Sequence, residues 1–377
     1  MTHDLPRHAV RFLIVPLLAL LTLAGGGCAS DRQIIGQANQ FHSGLEQAVI
    51  EDETLSNYLQ TVGDRIITAA AALDKEGYGP EAHKKESSDW MFNGSMKFHF
   101  VNSPTMNAFT TGGNHMYIYT GLFQNCETED ELAAVMAHEF AHVYGRHVHK
   151  GMNRQMMTMA AAAGAGAAGY AAGGKNRETY AGTAAGLAAM AGQYFGMSFT
   201  RDDQTEADKM GFAFYTRAGW VPERFDDFFE EMIQKGMDKT PEMMSDHPSL
   251  ANRVKATTER VSRLPPEAER WRQPPVADAR DLDRLKQRAT EVGRRMPTSE
   301  SLANAQTLLR AMPRSCLTPR DQEALPDQRE AQMSIIEYLE RRKAAQQGRA
   351  QKASYSEPAP AGGETTRERR RSQRRSY

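Results

Sequence analysis

Residues 131–147 read ELAAVMAHEFAHVYGRH, and the rest of the chain is best understood from this stretch. Its apolar positions recur at helical spacing, Thr128 or Glu127 stands ready to cap it, and acids fill the first turn, where the helix dipole favours them. The spacing therefore predicts a helix. On it, His138 and His142 lie four residues apart, which puts both imidazoles on one face. That separation lets two ring nitrogens reach one tetrahedral Zn²⁺, while Glu139 lies beside the open coordination position. From there a carboxylate takes a proton from the attacking water and passes it to the leaving amine. The pattern His138-Glu139-Phe140-Ala141-His142 thus points to a zinc hydrolase with one ion per chain.

Which zinc class applies depends on the third ligand. Gly145 stands three residues after His142, as a metzincin would have it, but the next position of that pattern is Val148, which cannot bind metal. His147 and His149 flank it and point elsewhere on a helix, so they read as residues that orient a ligand or lie at the surface. A more distant third ligand is required.

Working outward, "ETLSNYLQTVGDRIITAAAAL" (53–73) carries Leu55, Leu59, Val62 and Ile66 on one helical face. "MKFHFVNS" (96–103) and "HMYIYTGLF" (115–123) alternate and favour β structure, with turn chemistry in "TTGGN" (110–114), so a small sheet with a hairpin or edge strand is expected. Residues 156–192 are dominated by Ala, Gly and Met and read as a soluble helical hairpin packed on the catalytic domain. "LPPEAERWRQPP" (264–275) marks a boundary, and the arginine-rich end cannot bury a core. The expected organisation is a signal segment over 1–27, a catalytic domain over 28–265, a helical accessory region over 266–347 and a disordered basic tail over 348–377.

At the start, Arg7, His8 and Arg11 precede the apolar run Phe12–Ala24, which is short for a bilayer span and is followed by "AGGGCAS". Cys28 after small residues resembles a bacterial lipoprotein signal, although Gly25 stands where that pattern prefers leucine; an ordinary cleaved signal is the plainer alternative. With Ala29 in place of a retention aspartate, the resemblance implies a periplasmic protein anchored to the outer membrane through lipidated Cys28. Net charge is −1 over 377 residues, which gives no electrostatic footprint for nucleic acid.

Four stretches occur in order: "NAFTTGGNHMYIYTGLF" (107–123), "ELAAVMAHEFAHVYGRH", "FTRDDQTEADKMG" (199–211) and "HPSLANRV" (247–254). Together they resemble peptidase family forty-eight, which includes CaaX prenyl proteases and periplasmic outer-membrane quality-control proteases. The resemblance covers about residues 35–262. It implies a mainly α fold with a small β-sheet, an α+β gluzincin domain in which two histidines and a glutamate hold zinc. It further implies that the strand near Asn107–Phe109 aligns the peptide substrate, that Asp208 acts as proton donor or ring-orienting acid, and that His247 lies near the metal or stabilises the oxyanion.

One departure matters. The family pattern puts the zinc glutamate four residues before the aspartate, and counting back from Asp208 gives Gln204. Three explanations compete: Gln204 ligates through its amide oxygen, a distorted helix turns Glu206 inward, or His247 supplies the ligand. Gln204 is the expected occupant, with His247 nearby and Glu206 the alternative. Arg253 is either a structural helix residue, the favoured reading, or a clamp on a carboxylate. The resulting expectation is a zinc-dependent endopeptidase acting on unfolded or misfolded envelope proteins, with the outer-membrane assembly machinery as a possible partner. A metal-binding periplasmic chaperone or outer-membrane assembly factor with weak or no proteolysis is the alternative, motivated by Gln204 and the Met-rich stretches.

Overall fold

The computed structural model of the chain describes residues 31–79, 89–154, 199–236 and 249–312. The expected signal segment with Cys28, the hairpin over 156–192, His247 and the basic tail lie outside these residues. The fold is mainly helical with one small sheet. Helix α1 (Asp31–Leu45) leads into α2 (Glu53–Lys75), whose N-terminus is capped by the Asp52 carboxylate accepting from the Leu55 amide. Leu55, Leu59, Val62 and Ile66 of α2 are all fully buried, as their spacing predicts. The short α3 (Asp89–Phe92) precedes β1 (Lys97–Val101), β2 (Ala108–Thr110) and β3 (His115–Tyr119).

The strand order is β1-β3-β2. The two stretches expected to be strands, β1 and β3, run parallel, with Lys97 opposite His115, and so do not form a hairpin with each other; the TTGGN turn instead joins β3 to the short β2 in an antiparallel hairpin, with Ala108 opposite Ile118. One sheet face packs on α2, and Gly63 makes that approach possible: a Cβ there would fall 2.2 Å from the Phe98 ring. The other face carries His99, His115, Tyr117 and Phe109 towards α1, whose Phe41 meets Phe109 and Tyr117 edge-on.

A single turn of helix, α4 (Thr120–Asn125), leads to α5 (Glu129–Tyr144), the predicted helix, with Thr128 as its cap. Every residue of α5 is buried, which makes it a central core helix with no solvent face. Its acidic first turn does more than answer the dipole. Glu129 accepts from Tyr58, Trp220 and the amides of Val276 and Ala277, and Asp130 accepts from Tyr215 and the Val221 amide.

Helix α6 (Arg201–Ala218) starts with a reciprocal capping box between Thr200 and Asp203 and ends at Gly219, whose φ of 99° is the left-handed stop that glycine tolerates. Helices α7 (Asp227–Gln234), α8 (Leu250–Ser262), α9 (Ala279–Arg295) and α10 (Glu300–Ala311) complete the described chain. The last two reach back to the sheet region, where Asn102 donates to the Gly293 carbonyl and Tyr119 to that of Leu309. None of the described helices is long and apolar enough to cross a membrane.

Candidate metal centre

The centre is built where α6 runs antiparallel along α5. Gly211 lets the two backbones nearly touch: a Cβ there would sit 3.0 Å from the Cα of His138. Tyr215 bonds Asp130 at one end of this contact, Asp208 meets His138 in its middle, and Glu206 meets His147 at the other end. Gln204 lies one turn before Asp208 on the same helical face, so the antiparallel register carries it towards His142.

On α5 the Nε2 atoms of His138 and His142 face one another at 3.1 Å. Two imidazole nitrogens this close must share a proton or a cation, since facing lone pairs repel. Each ring is held from behind. The Nδ1 of His138 lies 2.9 Å from Asp208 Oδ1, and Arg253 grips the same carboxylate with Nε at 2.7 Å and Nη2 at 2.6 Å. Burial alone would raise the Asp208 pKa, but the Arg253 charge and the His138 hydrogen bond outweigh it and hold the carboxyl well below its usual range. Arg253 is therefore a clamp on a carboxylate, with its guanidinium also 3.8 Å over the Phe229 ring. The structural role favoured from sequence underestimated it, because the partner lies 45 residues away.

His142 is backed differently. Its Nδ1 lies 2.7 Å from the Nδ1 of His147, whose Nε2 lies 3.0 Å from Glu206, which Lys150 also grips at 2.9 Å. One tautomer set satisfies the whole chain: His142 donates from Nδ1, His147 accepts there and donates from Nε2 to the carboxylate. The His147 hydrogen bond is the leading cause that holds Glu206 at a pKa of about 2. Phe199 stacks on the His142 ring at 3.9 Å, fixing its plane.

Local backbone geometry makes this relay possible. Arg146 adopts a left-handed φ of 54°, which folds the chain back at the end of α5. His147 then lies over Gly145, where a Cβ would fall 2.5 Å from its Nε2. Gly145 thus makes room for His147 and is unrelated to any metzincin turn. His149 binds Asp31, as does Arg146, away from the centre.

Gln204 is almost fully buried, and neither its Oε1 nor its Nε2 has a protein hydrogen-bond partner. Leaving such groups unpaired costs about 1–3 kcal/mol each, so the amide is suited to a ligand. Two imidazole nitrogens and an amide oxygen fit Zn²⁺ in chemistry and number, leaving a fourth position. Glu139 is completely buried on the same helix. Glu206, the alternative ligand, accepts from His147 and Lys150. Asn107–Phe109 lies at and just before β2, on the sheet edge. The roles missed from sequence are those of acids acting through others: the relay role of Glu206, and the hub formed by Glu129; His147 takes the orienting role, one of the two its position left open. The spacing of His147 carries a signal only once Gly145 and Arg146 are seen to fold it back.

Paired imidazoles on one helix, each oriented by a further buried group, are how metallopeptidases of the HExxH class build their centres. Comparison with known sequences agrees with that class. Residues 56–261, more than half of the chain, match peptidase family M48, and the chain belongs to this family. It is similar to a candidate beta-barrel assembly-enhancing protease of Vibrio cholerae serotype O1, with 30% identity over 253 residues, 65% of this chain and 47% of that protein. It is 27% identical over 227 residues to the beta-barrel assembly-enhancing protease of Escherichia coli K12, covering 58% of this chain and 41% of the relative. It is also 29% identical over 184 residues to the mitochondrial metalloendopeptidase OMA1 of Saccharomyces cerevisiae, covering 46% and 50%. The chain thus spans about half the length of the curated relatives it matches.

Proposed function

We propose that the chain is a zinc-dependent endopeptidase of the cell envelope. The observation that carries this reading is the 3.1 Å approach of the His138 and His142 Nε2 atoms. His138, His142 and Gln204 would hold the ion. When bound, zinc supplies Lewis-acid polarisation of the scissile carbonyl and makes water a competent nucleophile near neutral pH. Glu139 takes the proton from the attacking water and returns it to the leaving amine. Asp208 keeps His138 in the tautomer that presents Nε2, and His147 with Glu206 does the same for His142. His247, outside the described residues, is assigned to the oxyanion side of the centre.

The substrates are unfolded or misfolded envelope proteins, and the outer-membrane assembly machinery is a candidate partner. Relatives named beta-barrel assembly-enhancing proteases support this assignment. Lipidation at Cys28 would place the centre in the periplasm at the outer membrane.

The deciding experiment is cleavage of an unfolded test protein by the zinc-loaded chain and by Glu139→Gln. The variant is expected to keep its zinc and lose about 10²–10⁴-fold in kcat. Equal turnover by both would end the endopeptidase reading and favour a metal-binding chaperone. Fatty-acid labelling that persists in Cys28→Ala would remove the lipid anchor.

A further inference from the structure

Between α1 and the sheet, three further imidazoles meet: His42 from α1, His99 from β1 and His115 from β3. One nitrogen from each lies within 4.8 Å of the other two. His99 Nε2 and His115 Nδ1 face each other at 2.9 Å. The His42 ring stacks on His115 with centroids 4.3 Å apart and lies 4.4 Å from the His99 ring. This cluster is separate from the His138–His142 centre, and no part of the proposed hydrolysis uses it.

We propose that His42, His99 and His115 form a second metal site, taking zinc or another late first-row divalent cation. Three considerations converge on it. The first is proximity: two imidazole nitrogens at 2.9 Å share a proton or a cation, and a third donor beside them makes a set of three, the number that zinc takes from protein in a site with one open position. The second is the surroundings. His115 turns its Nε2 to the Asn39 amide oxygen at 2.9 Å, so Nε2 carries the hydrogen and Nδ1 keeps its lone pair towards His99. His42 places Nδ1 at 3.1 Å from the Tyr117 hydroxyl. Such outer hydrogen bonds fix the tautomer and orientation of metal-binding histidines. The third is the surrounding charge, which does not on balance repel a cation. The nearby formal charges are Lys97 on β1 and Glu46 after α1, of opposite sign.

The residues favour soft or borderline cations over magnesium or calcium, because all three donors are nitrogens. The ion would staple α1 to both parallel strands, joining segments more than 50 residues apart in sequence. Its role would be to fix α1 on the sheet.

The test is zinc stoichiometry of the full chain, stripped with chelator, reloaded and measured by elemental analysis. Two equivalents are expected in the wild type, one in His99→Phe, and one in the double variant His138→Ala/His142→Ala. Cobalt bound to that double variant should show the visible absorption of a nitrogen-ligated, low-coordinate ion, and His42→Gln should remove it. Because His42 is only half-buried, this second substitution keeps the test usable if His99→Phe fails to fold. A wild-type value of one that survives both His99→Phe and His42→Gln overturns the proposal, as does a value of two that neither changes. A single equivalent lost on His42→Gln but kept in the double variant would uphold this site and count against the catalytic one.

Discussion

A glutamine stands where the family resemblance leads one to expect a zinc-binding carboxylate, and its consequence is electrostatic. With Gln204 as the proposed third ligand, the three protein donors would be neutral and the ion would keep its full double charge against the site. Gln204→Glu should tighten zinc binding at least about ten-fold, or about 1.4 kcal/mol, in a competition titration with a chromophoric chelator. Unchanged affinity would show that residue 204 does not reach the ion. Glu206 acts one imidazole further out: it anchors His147, which orients His142. Glu206→Gln should weaken zinc binding by about 10–100-fold while leaving thermal unfolding of the metal-free chain unchanged. A loss of metal-free stability without a change in zinc affinity would make Glu206 a structural residue only.

At the scale of elements, α5 is a charged-ended core helix, and its N-terminus meets α7 across a seam of acids. Burial raises the Glu131 pKa to about 7, helped by Glu231, Asp227 and Glu127, and against the Glu127 amide that donates to it. Asp226 is likewise raised to about 6, chiefly by burial. The cations nearby are Lys235, paired with Glu231, and Lys286, bonded to the Cys126 carbonyl. Folded Glu131 holds its proton more tightly than the unfolded chain, whose value is near 4.5. Its contribution to stability is therefore complete below pH 4.5 and is lost as pH rises through 7. Denaturant melts of Glu131→Gln should show a gain over wild type at pH 8, on the order of 1 kcal/mol, that vanishes near pH 4.5. A difference that does not vary with pH would contradict the assignment. Sequence showed that Glu129, Asp130 and Glu131 belong in a first turn. It did not show that they are buried, because the partners of Glu129 and Asp130 come from α2, α6, the 219–221 turn and the segment before α9.

Across the whole molecule, the described residue farthest from α5 in sequence on the N-terminal side supports the turn behind the centre. Asp31 opens α1, and its carboxylate binds Arg146 and His149, with Trp90 donating at 2.9 Å. Arg146 is the residue whose left-handed backbone brings His147 under His142. Asp31→Ala leaves a nearly buried guanidinium without its carboxylate. It should destabilise the chain by about 2 kcal/mol, less than a fully buried pair would cost because Asp31 is partly solvated. Zinc affinity should fall with it. Full stability and affinity in this variant would show that the 145–147 turn stands without α1.

Helix α5, its Thr128 cap, the paired imidazoles and the turn at 110–114 were all legible from residues 53–145, because each rests on local spacing: 3.6-residue periodicity, turn residues and capping pairs. The position of Gln204 one turn before Asp208 on the same face was legible for the same reason. What the chain alone could not supply is which groups meet across distance. Arg253 on Asp208, Glu206 through His147 onto His142, Asp31 on Arg146, and the three histidines from α1, β1 and β3 each join segments whose approach is fixed by packing. Spacing along a helix determines which side chains share a face; only the burial of one face against another decides what that face touches.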